Sequence, residues 1–262
     1  MIKSLLKNQL GKKRWQKIYE YMFRIALEGM NYGNGGDFKI SGELNVLKYI
    51  QQKYKDEKSL TIFDVGSNIG QYSKTVSDFF NSKAIIHSFE PSKKAFELLL
   101  NTVSDRTNII PNNIGLSDIE KDLILYTNIE ASGLASVYQR KLEHYRIFMD
   151  KSEPIKLSTI DNYCQYNNID KIHFLKLDIE GHELSALKGA KLMIDNKKID
   201  FIQFEFGGCN IDSRTYFQDF YYLLKDKYRI YRIVKDGLFE ISDYNETSEI
   251  FTTINYLAEK LN

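Results

Sequence analysis

From about residue 60 onward, short apolar runs rich in β-branched and aromatic residues alternate with stretches whose apolar positions recur every three or four residues. The runs at 61–65 (TIFDV), 84–90 (AIIHSFE), 108–110, 172–178 (IHFLKLD), 199–206 (IDFIQFEF) and 228–234 (YRIYRIV) predict strands. The stretches 71–80, 93–103, 183–196 and 214–225 predict amphipathic helices. Runs such as IHFLKLD are apolar at most positions, the pattern of strands buried on both faces. Strand–helix alternation predicts an α/β fold, with a mostly parallel sheet covered by helices on both faces. Such sheets bind ligands at the carboxyl ends of their strands, so the polar residues closing each strand carry the functional information.

Two regions fall outside that rhythm. Residues 1–57 read as a helical extension, with Trp15, Ile18, Tyr19, Met22, Phe23, Ile25 and Ala26 at helical spacing. The segment 31–37 (NYGNGGD) breaks it before a second helix capped by Ser41. Residues 58–262 read as the main domain. Within it, 119–158 inserts strand-like pieces (LILYTNI, and IKLS at 155–158) where a simple alternating fold has one helix. A hairpin is expected around Asp236 and Gly237, with a last strand near 252–257. Lys3, Lys7, Lys12, Lys13, Arg14 and Lys17 interleave with Leu5, Leu6, Leu10 and Trp15. Packing against the domain or against a second subunit in a homo-oligomer explains this start best; peripheral contact with an anionic membrane is the alternative.

Composition narrows the classes. Over 262 residues, 36 basic against 35 acidic side chains leave a net charge of +1, which argues against a dedicated nucleic-acid binder. Cys164 and Cys209 form no CxxC pair, so neither a disulfide scaffold nor a cysteine zinc site is expected, and a reducing compartment fits. No apolar run approaches the roughly 18–20 residues of a membrane span. The first residues lack a signal-peptide pattern, so a cytoplasmic location is expected.

The strongest local signal is 64–70, DVGSNIG, between a buried strand and a helix. Gly66 and Gly70 remove side chains where backbone must approach a ligand, and the helix that follows offers free N–H groups. A dinucleotide fingerprint reads GxGxxG; here Asn68 stands where its second glycine would make room for pyrophosphate. No GK[ST] follows, which excludes a P-loop. A nucleoside ligand without pyrophosphate remains. Glu90, 20 residues after Gly70 in Phe89-Glu90-Pro91, closes the second strand where a carboxylate can accept from both ribose hydroxyls. A helix-entry charge is the plainer alternative.

With these residues in order, the chain resembles the FkbM-type family of class I S-adenosylmethionine-dependent methyltransferases. The resemblance rests on DVGSNIG (64–70), FEP (89–91), NNIGLSD (112–118), STIDNY (158–163) and LKLDIEGHE (175–183). Relatives often have alanine at Gly115. The resemblance implies a Rossmann-like sheet of seven strands ending in a reversed hairpin, with S-adenosylmethionine across the first three strand ends. Asp64, Gly66, Asn68 and Gly70, with Ser67 in the same turn, would surround the methionine portion. Glu90 would hold the ribose beside Pro91, and Asn113, Ser117 and Asp118 are candidates near adenine.

The segment 178–183, DIEGHE, closes the central strand with three carboxylates. Methyl transfer to a hydroxyl needs an aligned nucleophile and a group that takes its proton. Asp178 is the first candidate, Glu180 the second, and His182 a rival with a more suitable ordinary pKa. Glu183 reads as a first-turn acid favoured by the helix dipole. Glu205 should lie beside Asp178 in the sheet, and two such carboxylates could hold Mg²⁺. The insertion, particularly 132–136 (SGLAS) with Tyr126, Tyr138, Arg140 and Tyr145, and the N-terminal region should meet the acceptor. The resemblance makes that acceptor a sugar, glycan or related hydroxylated metabolite, and the activity O-methyl transfer. A non-catalytic nucleoside-binding module and an N-methyltransferase are the alternatives.

Overall fold

The computed structural model describes residues 10–261. In chain order its strands are β1 (Leu60–Val65), β2 (Ala84–Phe89), β3 (Ile109–Asn112), β4 (Gly115–Leu116), β5 (Lys121–Thr127), β6 (Lys151–Ser158), β7 (Ile172–Leu177), β8 (Ile199–Phe206), β9 (Tyr228–Val234), β10 (Gly237–Glu240) and β11 (Ile254–Lys260). Its helices are α1 (Gln16–Gly29), α2 (Glu43–Lys53), α3 (Gln71–Phe80), α4 (Lys93–Thr102), α5 (Ile160–Tyr166), α6 (Glu183–Lys188), α7 (Lys191–Asp195), α8 (Cys209–Ser213) and α9 (Phe217–Leu224).

The apolar runs assemble into one sheet in the order β10-β9-β11-β8-β7-β1-β2-β3. β8, β7, β1, β2 and β3 are parallel neighbours, whereas β11 runs antiparallel to both β8 and β9. The sheet therefore has eight strands instead of the expected seven. The extra strand arises because Lys235 and Asp236 turn the chain back, and β10 pairs antiparallel with β9 from Gly237 onward. Every residue of β7 and β8 is buried, as their nearly continuous apolar pattern requires. One face packs Leu175, Leu177, Phe204 and Phe206 against Leu184, Phe217 and Phe220 of α6 and α9. The other packs Ile62 and Phe174 against Val46, Leu47 and Ile50 of α2, Val76 of α3 and Leu99 of α4. Phe220 stacks on Phe204 with ring centroids 4.7 Å apart and planes 4° from parallel. Phe220→Ala is expected to cost about 3–5 kcal/mol, the usual range for emptying a buried aromatic site, read as a lower denaturant midpoint at unchanged slope.

The expected helix over 183–196 is broken between α6 and α7. A Cβ at Gly189 would lie 1.9 Å from the Ser117 carbonyl oxygen, so this glycine lets the helix end approach the loop after β4. The inserted strand pieces form a second sheet, in which β5 pairs antiparallel with β6 and β4 pairs parallel with it. Leu125, Ile155 and Leu157 make its small core.

At the N-terminus the two expected helices are α1 and α2, with Gly42 at φ +103° standing where Ser41 was expected as cap. α1 buries none of its residues, and Ile18, Tyr21, Met22 and Ile25 line one exposed stripe. The basic positions Lys3 and Lys7, with Leu5 and Leu6, lie outside the described residues. Among the described residues no helix is long and apolar enough to cross a membrane.

Candidate active site

The carboxyl ends of β1, β2 and β7 open into one cleft enclosing about 590 Å³, part of it open to solvent. Gly66 and Asn68 come from the turn after β1, Glu90 and Pro91 from the end of β2, and Asp178, Glu180 and His182 from the end of β7. The smaller sheet covers it with Leu116, Leu125, Ile155 and Leu157, and the loop after β5 adds Ser132, Gly133 and Ser136.

The turn after β1 is dictated by close approach. Gly66 has φ +84°, and a Cβ there would lie 1.8 Å from the Asp178 carbonyl oxygen. Gly66 and Ser67 both donate their N–H groups to the Phe89 carbonyl at 3.0 Å, which ties this turn to the end of β2. Glu90 is buried; its Oε2 accepts from Asn68 N at 2.9 Å and its Oε1 from Ser92 N at 2.8 Å. Each oxygen keeps a further lone pair for a ligand. Burial pushes the Glu90 carboxyl up to about 7, against the pull of those two N–H groups.

The end of β7 concentrates charge. Asp178 Oδ2 accepts from the buried Lys176 Nζ at 2.7 Å, while the Asp178 side chain stays 40% exposed. Glu180, at φ +51°, pairs with the buried Arg140 of the insertion, whose Nε lies 3.9 Å from Asp212. Burial raises the Glu180 carboxyl above its usual range, with Arg140 pulling the other way. His182 has both ring nitrogens engaged, Nε2 with Ser117 Oγ at 2.9 Å and Nδ1 with Tyr138 OH at 3.0 Å. Burial lowers its pKa to about 4, so the ring is neutral near pH 7. Ser136 Oγ donates to the Glu180 carbonyl at 2.8 Å, so the insertion is pinned to this strand end at two points. Glu183 Oε1 accepts from Ile179 N and Gly181 N, which makes it the brace of its own turn.

Of the candidate cofactor residues, Gly66, Asn68, Glu90 and Pro91 line the cleft; Asp64, Ser67, Gly70, Asn113, Ser117 and Asp118 do not. Asp64 is fully buried and accepts from Ser73 Oγ, and Ser67 is buried within the turn. Gly70 is needed for packing, since a Cβ would lie 2.5 Å from Leu99 Cδ1 of α4. Asn113 donates to the Glu90 and Pro91 carbonyls and so shapes the loop. Asp118 is paired with Lys121, which holds its carboxyl down at about 2. Glu205 lies beside Asp178 at the strand ends, one step beyond the Leu177–Phe204 pair of β7 and β8. Glu205 converges with Glu180 and Cys209, their ligand atoms within 4.8 Å of one another, and Asp178 is not part of that set. A thiol is a poor donor for Mg²⁺, and Arg140 already occupies Glu180.

Several contributors escaped the sequence reading. Lys176 lies inside an apolar run, and its pairing with Asp178 two residues on places both ends of the ion pair at one strand end. Glu43 of α2 is buried, raised by burial, and bonded to Ser41, Gln203 and Asn255. Its place near Lys176 has no local signature. Gly115 also lines the cleft, and a Cβ there would lie 2.4 Å from Leu157 Cδ2, which relates this glycine to how closely the covering sheet approaches.

A parallel sheet with its cleft at the switch point between β1 and β7, and one antiparallel strand inserted beyond β8, has the Rossmann-like arrangement of class I methyltransferases. Residues 64–232 match the methyltransferase FkbM domain, and the chain belongs to that family. It is 31% identical over 152 residues to hexuronic acid methyltransferase AglP of Haloferax volcanii, a match spanning 57% of this chain and 57% of that protein. The crystal structure of methyltransferase FkbM from Methylobacillus flagellatus is 20% identical, covering 76% of this chain and 44% of that one, with a TM-score of 0.47. Aeropyrum pernix fibrillarin in complex with S-adenosyl-L-methionine is 14% identical over 77% of this chain and 66% of that one, with a TM-score of 0.41.

Proposed function

We propose that the chain transfers a methyl group from S-adenosylmethionine to a hydroxyl of a sugar, glycan or related metabolite. Residues 58–262 would carry the reaction, 119–158 would shape the acceptor side, and 1–57 would be an extension. The observation that carries this reading is that the Glu90 carboxylate and the Asp178 carboxylate line one cleft in a chain of the FkbM family. The 31% identity to a hexuronic acid methyltransferase supports the sugar acceptor.

S-adenosylmethionine, when bound, supplies an electrophilic methyl on a sulfonium. The residues of the cleft suit its parts. Gly66 leaves the backbone bare beside the Asp178 strand end. Glu90 keeps lone pairs for two ribose hydroxyls, and Phe89, Pro91, Leu116 and Leu157 offer an apolar slot suited to adenine. Asp178 is the partly exposed carboxylate of the strand end and would take the hydroxyl proton as the oxygen attacks the methyl. The products are the methyl ether and the neutral demethylated cofactor. Lys176 would orient Asp178 through their ion pair, and His182, neutral and held on both sides, would brace the insertion.

Calorimetry with S-adenosylmethionine and NAD, followed by mass spectrometry of candidate glycans incubated with the protein, tests the reading. Binding of NAD with none of S-adenosylmethionine would overturn it. Glu90 adds a pH signature. Its ionised form accepts from the ribose, and protonation grows as pH falls below about 7. Cofactor affinity should therefore be about 10-fold weaker at pH 6 than at pH 8, since one pH unit below the pKa leaves about a tenth of the carboxylate ionised. Glu90→Gln should flatten that dependence and weaken binding by about 1–3 kcal/mol at pH 8. A parent protein whose affinity is flat over this range would remove Glu90 from the ribose role.

A further inference from the structure

Beside the cleft lies a groove of about 1650 Å³, part of it open to solvent, that shares Val137 with it. Its walls are the segment of the insertion around Tyr138–Tyr145, the chain around α8, and the turn before β11, with Gly33 of the N-terminal loop also on the lining. We infer that this groove is a subsite for the oxyanion group of an acidic acceptor, a carboxylate or phosphate carried on the sugar. The inference rests on the methyltransferase reading above and names the substrate class of that site.

Charge is the first argument. Arg140 lines the groove but is buried, and Glu180 and Asp212 already neutralise it. Lys141 and Arg214 line the groove as exposed side chains, and among the described residues neither is in an ion pair. His144 is a third exposed basic residue on the same wall. Asp212 is the one acid on the lining; it is partly buried and lies against Arg140. The exposed charge of the groove is thus basic, in a chain whose net charge is only +1. On the cleft lining Glu180 and Asp178 are paired with Arg140 and Lys176 and Glu90 is an acid, so among the described residues that lining offers no free basic side chain. An acidic group is therefore attracted at the groove and finds no cation in the cleft, which orients the acceptor with a neutral hydroxyl toward Asp178.

Geometry is the second argument. Arg214 sits at φ +59°, a left-handed conformation rare for a side chain other than glycine or asparagine, at the end of α8. Thr215 N donates to the Asn210 carbonyl, and Asn210 holds Gly207 N and Thr215 Oγ1 through its side chain, so the backbone that carries Arg214 is fixed. Tyr145 is 69% exposed, with its ring centroid 4.2 Å from that of His144, a broad face on the groove against which the apolar edge of a sugar ring can rest.

The test compares three probes, 4-nitrophenyl β-glucuronide, glucose 6-phosphate and neutral 4-nitrophenyl β-glucoside, by calorimetry with the parent protein saturated with S-adenosylhomocysteine. The double variant Lys141→Gln/Arg214→Gln is run in parallel; both side chains are exposed, so the fold should be kept, and unchanged cofactor affinity confirms it. The expected result is that one or both acidic probes bind at least 10-fold more tightly than the glucoside. That preference should weaken with added salt and vanish in the double variant. Preference for the glucuronide marks a uronic acid, and preference for the phosphate marks a phosphosugar. Equal binding of all three, binding of none, or an acid preference that survives in the variant overturns the inference. If S-adenosylhomocysteine and S-adenosylmethionine bind while any of these occurs, the methyltransferase reading stands and only the subsite falls. Failure of both cofactor forms to bind overturns the reading beneath it.

Discussion

Asp178→Asn is expected to lower turnover by about 10²–10⁴-fold, the usual contribution of a positioned proton acceptor. The amide keeps the size of the side chain and can still accept a hydrogen bond from Lys176 Nζ, while it loses the charge and the basicity. S-adenosylmethionine affinity should change by less than about threefold, because the proposed partner of the ribose is Glu90 and not Asp178. The comparison must use an acceptor that the parent protein methylates, with thermal unfolding to exclude a folding defect. Parental turnover in the variant would pass the role to Glu180, whose carboxylate Arg140 already engages. Chelator treatment of the parent protein should leave turnover unchanged, since the converging donors include a thiol and an arginine-paired carboxylate.

Gly66→Val should abolish cofactor binding and destabilise the fold by about 3 kcal/mol or more, from overpacking together with an unfavourable backbone conformation. The added Cβ would fall 1.8 Å from a backbone oxygen, at a φ of +84° that valine resists. Neither strand end can retreat, because the Gly66 and Ser67 N–H groups hold Phe89 and the Asp178 N–H donates to the Val65 carbonyl at 3.0 Å. Gly237→Ala is the control, since a Cβ there meets nothing within 4 Å. A folded Gly66→Val variant with parental affinity would mean that the cofactor lies elsewhere.

These two positions also mark what can be read from sequence. Gly66 and Asp178 stand at strand–turn–helix transitions, where hydrophobic periodicity stops abruptly and a change of residue type is visible in the sequence itself. Glu90 was legible for the same reason, as an acid closing a buried run. Asp64 stands in the same motif and was expected beside the methionine portion, yet its carboxylate accepts from Ser73, because successive strand residues point to opposite faces. Ser117 and Asp118 follow an interrupted β4 of two residues, too short for periodicity to fix which side faces the cleft. The breaks at Gly189 and the pairing of Glu43 with Gln203, 160 positions apart, depend on contacts that no local pattern encodes. The stripe on α1 has helical spacing without burial, since spacing reports which residues share a face and not whether anything covers it.

β3 ends the sheet on the side away from β10, and its unpaired flank bears on how the molecules behave toward one another at high concentration. Ile86 N donates to the Asn108 carbonyl and Glu90 N to the Asn112 carbonyl, so even-numbered residues of this segment turn their backbone groups toward β2. Pro111 therefore faces outward, at the flank where a strand from another molecule would have to dock. Having no N–H, it removes a rung from any ladder built there, and its fixed φ resists the regular pleat an added strand would impose. A proline at this position guards the sheet against growth by edge-to-edge pairing, a protection that leaves the ligand-binding end of the parallel strands untouched.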